Sequence, residues 1–317
     1  MEVGWSHFFL GELEQAREHL ERVLVLYDHE RHSSHVFTYG DNPDTSARSS
    51  LAQVLWLLGH VDQSLERSEE NLASLRSLMH PYSVAFGLDL AAFLRQYRGD
   101  AAATRVLANE ALELSEAHSL PLIGAMATVL EGWVLTQERE VEKGIAQMRR
   151  GLAAQLATGA ELVRPYWLSL IADTCHRTGA ARAGLALLEE AEAAVEQTQE
   201  RYWEAEVHRL RGRLLLATSE PPAPEAARTA EASYRRALEV ARRQGARSLE
   251  LRAAVSLSQL WQAEGLDRQA RELLAPIYAS FSEGRGTPDL RAAAALLTQL
   301  AAPFSHDPDL TVISGGG

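Results

Sequence analysis

Cysteine is almost absent from the 317-residue sequence, in which Cys175 is the only one. A single thiol excludes an internal disulfide and also excludes a cage of several thiolates around a metal ion. The residue stands in the apolar stretch WLSLIADTCHR. We therefore interpret it as a small buried hydrophobic residue rather than as a reactive nucleophile.

Long apolar runs are also missing, although 46% of the residues are hydrophobic. No stretch reaches the roughly 18 consecutive apolar residues that a membrane helix needs. The opening residues, MEVGWSHFFLGELEQ, lack the basic region and the small-residue cleavage site of a secretory signal. We expect a cytoplasmic protein with no membrane partner.

Basic residues are scarcer than acidic ones, 31 against 43, which gives a net charge of −12, and Lys143 is the only lysine. An acidic surface repels phosphate backbones, so general nucleic-acid binding is disfavoured. Arginines such as Arg235 and Arg236 lie close to Glu231 and Glu239 in the sequence. This pattern is typical of solvated helix faces that carry ion pairs.

Small residues recur about every forty positions. The first set is Gly4, Ala52, Ala92, Gly132, Ala172, Gly212 and Ser258. Seven residues after each of these come Gly11, Gly59, Gly99, Arg139, Gly179, Ser219 and Gly265. A second small set follows at Ala16, Ser64, Thr104, Gly144, Gly184, Ala230 and Ala270. The unit is 40 residues, with eight residues inserted between the first two units and six inside the sixth.

This repeat predicts a chain of helical hairpins. Small residues let the two helices of a hairpin approach closely, and a glycine between them permits the left-handed backbone that ends a helix. Pro81, Pro121 and Pro165 stand where first helices should begin. Sustained period-2 alternation is absent, so we predict an all-α, right-handed αα superhelix of about seven units of ~40 residues.

The ends of the chain are predicted separately. A helix after Thr287, RAAAALLTQL, has no partner in sequence and should cap the stack. We assign residues 1–302 to the repeat domain and expect 303–317 to be a disordered polar tail. The first unit is short, so we expect its first helix to begin before Met1 and the chain to be a fragment of a longer protein.

The register resembles tetratricopeptide repeats (TPR), most clearly in LGELEQAREHLERVL and ASYRRALEVARRQGA. The segments RYWEAEVHRLRGRLLL and ARSLELRAAVSLSQLWQAEG are similar to the C-terminal region of a group of bacterial multidomain proteins. Those proteins join a class III adenylate/guanylate cyclase domain, or a DNA-binding domain, to an AAA-type (STAND-like) ATPase and then a helical array. The resemblance covers about residues 1–302 and implies a sensor or regulatory role in signal transduction.

The chemistry of those upstream domains does not carry over. The sequence has no G-x-x-x-x-G-K-[ST] phosphate-binding loop and no G-x-G-x-x-G following a strand. Gly284 and Gly286 flank an arginine without a following lysine. We therefore expect no enzyme activity, no cofactor and no metal in this region.

A histidine-rich segment precedes the second unit. Its possible metal ligands are His29, His32, His35, Asp28, Glu30 and Asp41. Their spacing matches no metal signature, so we favour loop packing through Val36, Phe37 and Tyr39. As the longest irregular segment, it is also a candidate contact surface.

Aromatic residues recur on the first helices, as Trp133, Tyr166, Trp167, Tyr202, Trp203 and Trp261. An aromatic ligand cage is one interpretation, and packing between repeats is the one that we favour. Positions −6, −3, +1 and +4 from each first-set residue share one helix face, and in this type of array that face lines the concave side. The candidate groove residues are Trp56, Asp89, Phe93, Gln96, Trp133, Tyr166, Asp173, His176, Arg209 and Arg213.

Two functions are compatible with this sequence. The first is a non-catalytic scaffold that binds a protein or peptide segment, or its own upstream ATPase or cyclase domain. The second is a sensor that binds a small-molecule effector in the groove. His176 beside Asp173 is not a catalytic dyad, because no nucleophile or oxyanion donor is predicted to converge there.

Overall fold

The computed structural model describes residues 1–32, 36, 40–218 and 221–301. These ranges contain fifteen helices of nine or more residues, the single turn His29–His32, and no strand. The helices are α1 (Glu2–Leu10), α2 (Leu13–Leu26), α3 (Pro43–Leu57), α4 (Val61–Leu75), α5 (Pro81–Tyr97), α6 (Ala101–His118), α7 (Pro121–Gln137), α8 (Val141–Ala157), α9 (Arg164–Arg177), α10 (Ala181–Thr198), α11 (Glu204–Leu216), α12 (Pro224–Gln244), α13 (Arg247–Ala263), α14 (Asp267–Ala279) and α15 (Pro288–Ala301). The predicted all-α solenoid is confirmed: seven hairpins and a last single helix that packs on α13 and α14.

Several predictions concern residues outside the described ranges. These are the tail 303–317, the turn residue Ser219, the loop residues Phe37 and Tyr39, and the possible ligand His35. The side chains of His29 and Glu30 are also outside what the structure describes.

The hairpin of α5 and α6 shows how particular residues determine where the helices of a unit begin and end. Pro81 opens α5, where its missing N–H needs no partner, and the His80 ring accepts a hydrogen bond from the Ser83 N–H at 3.3 Å. Gly99 adopts a φ of 72°, the left-handed conformation that turns the chain back. Asp100 then caps α6 by accepting from the Ala103 N–H at 3.0 Å.

The predicted helix-contact register is confirmed. Every residue of both small sets is buried. A Cβ added to Gly132 would lie 2.7 Å from the Met148 backbone nitrogen and 2.8 Å from the Gly144 carbonyl oxygen. In the seventh unit, the Ser258 hydroxyl donates directly to the Ala270 carbonyl at 3.1 Å. The two helices of a hairpin therefore touch through backbone, which larger side chains would prevent.

First and second helices differ in how much of them is buried. Twelve of the fifteen residues of α3 are buried, whereas only six of the fifteen of α4 are, along one stripe. The stripe on α4 has helical spacing, with Val61, Ser64, Ser68 and Leu72 among its members. The first helices thus form the inner layer of the solenoid and the second helices form its outer layer.

The two ends of the solenoid meet. The Ser248 hydroxyl on α13 donates to the Trp56 carbonyl on α3 at 2.5 Å. Glu283, after α14, accepts from the backbone N–H groups of Asp62 and Gln63 at 2.9 and 3.2 Å. The second unit therefore packs against the seventh, and the concave side becomes a closed interior instead of a long open groove. Within the described ranges, no helix combines the length and the apolar character needed to cross a membrane.

A central cavity as candidate binding site

A cavity of about 910 Å³ lies inside the solenoid, between α9, α11, α13 and the start of α15. The exposed residues Gln137, Ala217 and Gln259 are part of its wall, so it opens to solvent there. Six of the ten residues predicted for the groove line it, namely Gln96, Trp133, Asp173, His176, Arg209 and Arg213.

The other four predicted residues are buried elsewhere and do not line this cavity. Trp56 and Phe93 are 2% exposed, and Asp89 and Tyr166 are fully buried. Neither carboxylate oxygen of Asp89 has a hydrogen-bond partner, and burial raises the pKa of Asp89 well above its usual range. Burial thus disfavours the charged form of Asp89 within the protein core.

An aromatic cluster occupies the interior beside the cavity. Trp203 stacks on Tyr97 at 4.8 Å between ring centres and on Trp56 at 6.3 Å, and it meets Tyr166 edge-on at 5.0 Å. These rings come from four different units, so they join distant turns of the solenoid. The packing interpretation of the aromatic residues is confirmed for Tyr166, Trp167, Tyr202 and Trp203, each of which is at most 2% exposed.

A buried ion pair forms one wall of the cavity. Arg209 donates to both oxygens of Glu206, with its Nε and Nη2 each 2.8 Å from an oxygen, and its Nη1 donates to the Ser256 hydroxyl at 3.3 Å. Burial opposes the ionisation of Glu206, but Arg209, Arg252 and Arg213 outweigh it and lower the pKa of Glu206 to about 2. This wall is therefore charged at all ordinary pH values, with its charges matched.

Two further pairs complete the polar lining. Arg252 donates to Asp289 at 2.8 Å and to the Tyr97 carbonyl at 2.6 Å, and its guanidinium lies 4.9 Å from the centre of the Trp56 ring. Arg213 donates to Asp173 at 2.7 Å. Each arginine thus joins helices from different units around the cavity.

The predicted neighbours Asp173 and His176 both lie on the wall. Burial and the nearby Arg213 lower the pKa of His176, while Asp173 acts in the opposite direction. The ring is therefore neutral at physiological pH, and its Nδ1 is buried without a partner.

Neither Ser169 nor Cys175 is placed as a nucleophile for the cavity. The Ser169 hydroxyl donates to the Tyr166 carbonyl at 2.7 Å, so it does not point at a general base. Cys175 is 3% exposed and outside the cavity lining, and burial raises the pKa of its thiol. Across the described ranges, no three His, Cys, Asp or Glu side chains come close enough to hold a metal ion.

The sequence analysis missed several wall residues, chiefly Arg252, Ser256 and Asp289. Arg252, Val255 and Gln259 stand at −6, −3 and +1 from Ser258, the same positions that identified the other groove residues. Extending the projection to the seventh unit would have found Arg252, Val255 and Gln259, whereas Ser256 and Asp289 stand at positions that the projection does not include. Tyr234 lies on a second helix, for which the register made no prediction.

The hairpins, the small-residue register and the interior cavity define a tetratricopeptide-like helical-repeat solenoid. No protein-family model matches the chain. The uncharacterized protein R02095 of Rhizobium meliloti (strain 1021) is 26% identical over 254 residues, which are 80% of this chain and 24% of that protein. The chain thus spans about a quarter of the length of the curated relative that it matches.

The chain was also compared with solved structures. The apo form of RapI aligns with a TM-score of 0.55 and 11% identity, over 89% of this chain and 97% of that one. The TPR2AB-domain complex of yeast Sti1 with a pHSP90 partner aligns with a TM-score of only 0.34 and 12% identity, over 81% and 98% of the two chains. The likeness to RapI shows a shared fold.

Proposed function

We propose that the chain is a non-catalytic binding and regulatory module whose binding site is the central cavity. The observation that carries this proposal is convergence: six groove residues chosen from the repeat register surround one solvent-connected space. The partner would be a short segment of another protein or of an upstream domain in the same polypeptide. The resemblance to cyclase–ATPase proteins favours an ATPase or cyclase domain, and the greater length of the Rhizobium meliloti relative is compatible with a multidomain setting.

A cavity-filling variant tests the proposal. Ala263 is exposed on the rim of the cavity, so Ala263→Trp should obstruct entry without disturbing the core. Ala102 is exposed on α6 and outside the cavity lining, which makes Ala102→Trp the matched control. Cross-linking and mass spectrometry in the organism's own lysate should show partners that bind the unmodified chain and Ala102→Trp but not Ala263→Trp. Equal capture by all three would contradict the cavity as the site.

A small-molecule effector is the second candidate, and the closure of the solenoid favours it. A volume of about 910 Å³ is within the usual range for small-molecule pockets, roughly 300–1,000 Å³. An extended peptide would need an open groove, which the contact between Ser248 and Trp56 blocks on one side. A thermal-shift screen against sugars, nucleotides, amino acids and organic acids would find such an effector, and a hundredfold excess over Kd should stabilise the fold by roughly 2.7 kcal/mol.

A further inference from the structure

Three deeply buried polar groups on the cavity wall lack a protein partner. The Gln96 amide oxygen accepts from the Tyr166 hydroxyl at 2.6 Å, which leaves the amide N–H₂ without an acceptor among the described residues. Among the same residues, the Trp133 indole N–H and the Tyr234 hydroxyl also make no hydrogen bond. The three side chains are only 8%, 7% and 3% exposed, yet these atoms are not sealed inside the protein. A molecule in the cavity can therefore reach them.

Apart from the buried Nδ1 of His176, the buried side-chain acceptors on the same wall are already used. Both oxygens of Glu206 accept from Arg209. The Ser169 hydroxyl accepts from the Trp203 indole at 3.1 Å, and the Ser256 hydroxyl accepts from Arg209. Asp173 is more than a third exposed, so water can hydrate its second oxygen. What the wall lacks is therefore acceptors, and an occupant should supply them.

The charged side chains of the wall also favour an occupant that accepts hydrogen bonds, because arginines outnumber carboxylates there. Its arginines are Arg98, Arg209, Arg213 and Arg252, and its carboxylates are Asp173, Glu206 and Asp289. Arg213 gives a single hydrogen bond to Asp173, so its other N–H groups are available. The Tyr234 ring packs against Gly212, the residue next to Arg213, where an added Cβ would lie 2.6 Å from the ring, and the charges of Arg209 and Arg213 both act on its hydroxyl. Arg213 and Tyr234 together offer N–H and O–H donors to an anionic oxygen.

Apolar side chains complete the wall. Leu210, Leu251, Val255 and Leu260 lie between the polar groups. A ligand that matches both kinds of surface has an apolar body and more than one oxygen acceptor.

We propose that the cavity binds a small organic carboxylate with an apolar body and a second acceptor oxygen. The carboxylate lies at Arg213 and Tyr234, and the second oxygen accepts from Trp133 or Gln96. The same chemistry could come from a free metabolite or from the last residue of a peptide chain. This inference rests on the proposed function of the cavity as a binding site.

Matched probes test the ligand chemistry. N-acetyl-leucine has all three features, N-acetyl-leucinamide lacks the charge, and 4-methylpentanoate lacks the second acceptor. Isothermal titration should show binding of N-acetyl-leucine at least about tenfold tighter than that of either analogue, because a hydrogen bond to a charged group contributes most. An acetylated tetrapeptide ending in leucine distinguishes the sources: weaker binding than N-acetyl-leucine indicates a free metabolite, and equal or tighter binding indicates a peptide terminus.

Single-group variants test the location. Tyr234→Phe removes only a hydroxyl, and Arg213→Gln removes the charge of a side chain that is 34% exposed, so neither should prevent folding. Each should weaken N-acetyl-leucine binding about tenfold, while Arg228→Gln, on the exposed part of α12 and outside the cavity, should leave it unchanged. Circular dichroism melts confirm that the variants are folded.

The possible failures are distinguishable. Binding of the neutral amide as tightly as of the acid, with both sensitive to Ala263→Trp, would overturn the carboxylate inference and leave the cavity as a site. No binding of any probe at about 10 mM would also overturn the carboxylate inference. Binding of N-acetyl-leucine that is indifferent to Ala263→Trp, Tyr234→Phe and Arg213→Gln would contradict the inference and the proposed function together.

Discussion

Two buried glutamates, six residues apart, have opposite environments. Glu200 is 2% exposed; one of its oxygens accepts from the Val163 N–H at 2.9 Å and the other has no partner. Burial raises the pKa of Glu200 to about 8. Glu206 is 6% exposed and almost as deeply placed, yet its arginine neighbours lower its pKa to about 2. Burial therefore does not by itself decide whether a carboxyl is charged.

The contrast extends to the two parts of the interior. Near Glu200, the rings of Tyr97 and Tyr202 fill the space, and their pKa values are raised by burial. Near Glu206, the space is left open, and charged groups are retained in pairs. The aromatic region near Glu200 joins distant units by packing. The region near Glu206 keeps a polar surface that an occupant of the cavity can contact. The same repeat architecture thus supplies both a core and a site.

Breaking the buried pair should have the largest effect. Glu206→Gln removes the carboxylate but leaves Arg209 charged inside the protein, because burial does not deprotonate a guanidinium. We expect the free energy of unfolding to fall by about 3–5 kcal/mol. Urea denaturation measures this loss.

The exposed pair of Glu225 with Arg228 provides the control, and Glu225→Gln should change stability by less than about 1 kcal/mol. The double variant Glu206→Leu with Arg209→Met should recover much of the loss, since it leaves no unpaired charge. Equal effects of Glu206→Gln and Glu225→Gln would show that the pair on the cavity wall is screened by solvent in the same way as an exposed pair.

Replacing Glu200, the other buried glutamate, should change the free energy of unfolding in the opposite direction. The folded protein holds Glu200 protonated, whereas the unfolded chain releases that proton near the ordinary pKa of about 4.3. The contribution of Glu200 to stability should therefore be fully present below about pH 4 and be lost as pH rises to about 8, by about 1.4 kcal/mol per pH unit at most. Glu200→Gln keeps the acceptor for Val163 and removes this slope, so it should stabilise the protein at pH 7.

Melts from pH 5 to pH 9 measure the difference between Glu200→Gln and the unmodified chain. The gap should widen up to about pH 8 and then level off. Glu189→Gln, at an exposed position of α10, should run parallel to the unmodified chain. A constant gap across this range would mean that Glu200 is ionised in the folded protein.

The small-residue register predicted the fold because backbone contact tolerates only small side chains, as at Gly132 and Gly144. This constraint is local to one hairpin and is therefore visible in one sequence. The starts of α5, α7 and α9 near Pro81, Pro121 and Pro165 followed from proline for the same reason. No sequence feature of this local kind predicts how strongly the stack of hairpins curves, and therefore which distant units come into contact.

The curvature of the solenoid, which the sequence did not predict, determines which of the predicted groove residues line the cavity. Trp56 and Gln96 share the +4 position in neighbouring units, but contact of the second unit with α13 buries Trp56. Gln96 stays on the wall beside Trp203. A side chain's place on its helix can be projected from periodicity, whereas its exposure depends on contacts almost two hundred residues away along the chain.

The smallest expected effect concerns the pair of Arg213 with Asp173, whose side chains are 34% and 37% exposed. Solvent screens such a pair, so Arg213→Gln should lower the free energy of unfolding by less than about 1 kcal/mol. Urea melts beside those of Glu206→Gln make the comparison within one cavity wall. A loss as large as that of Glu206→Gln would mean that Arg213 is needed to hold the solenoid together. A small loss would mean that Arg213 contributes little to folding, so that its remaining N–H groups can bind an anion in the cavity without cost to the fold.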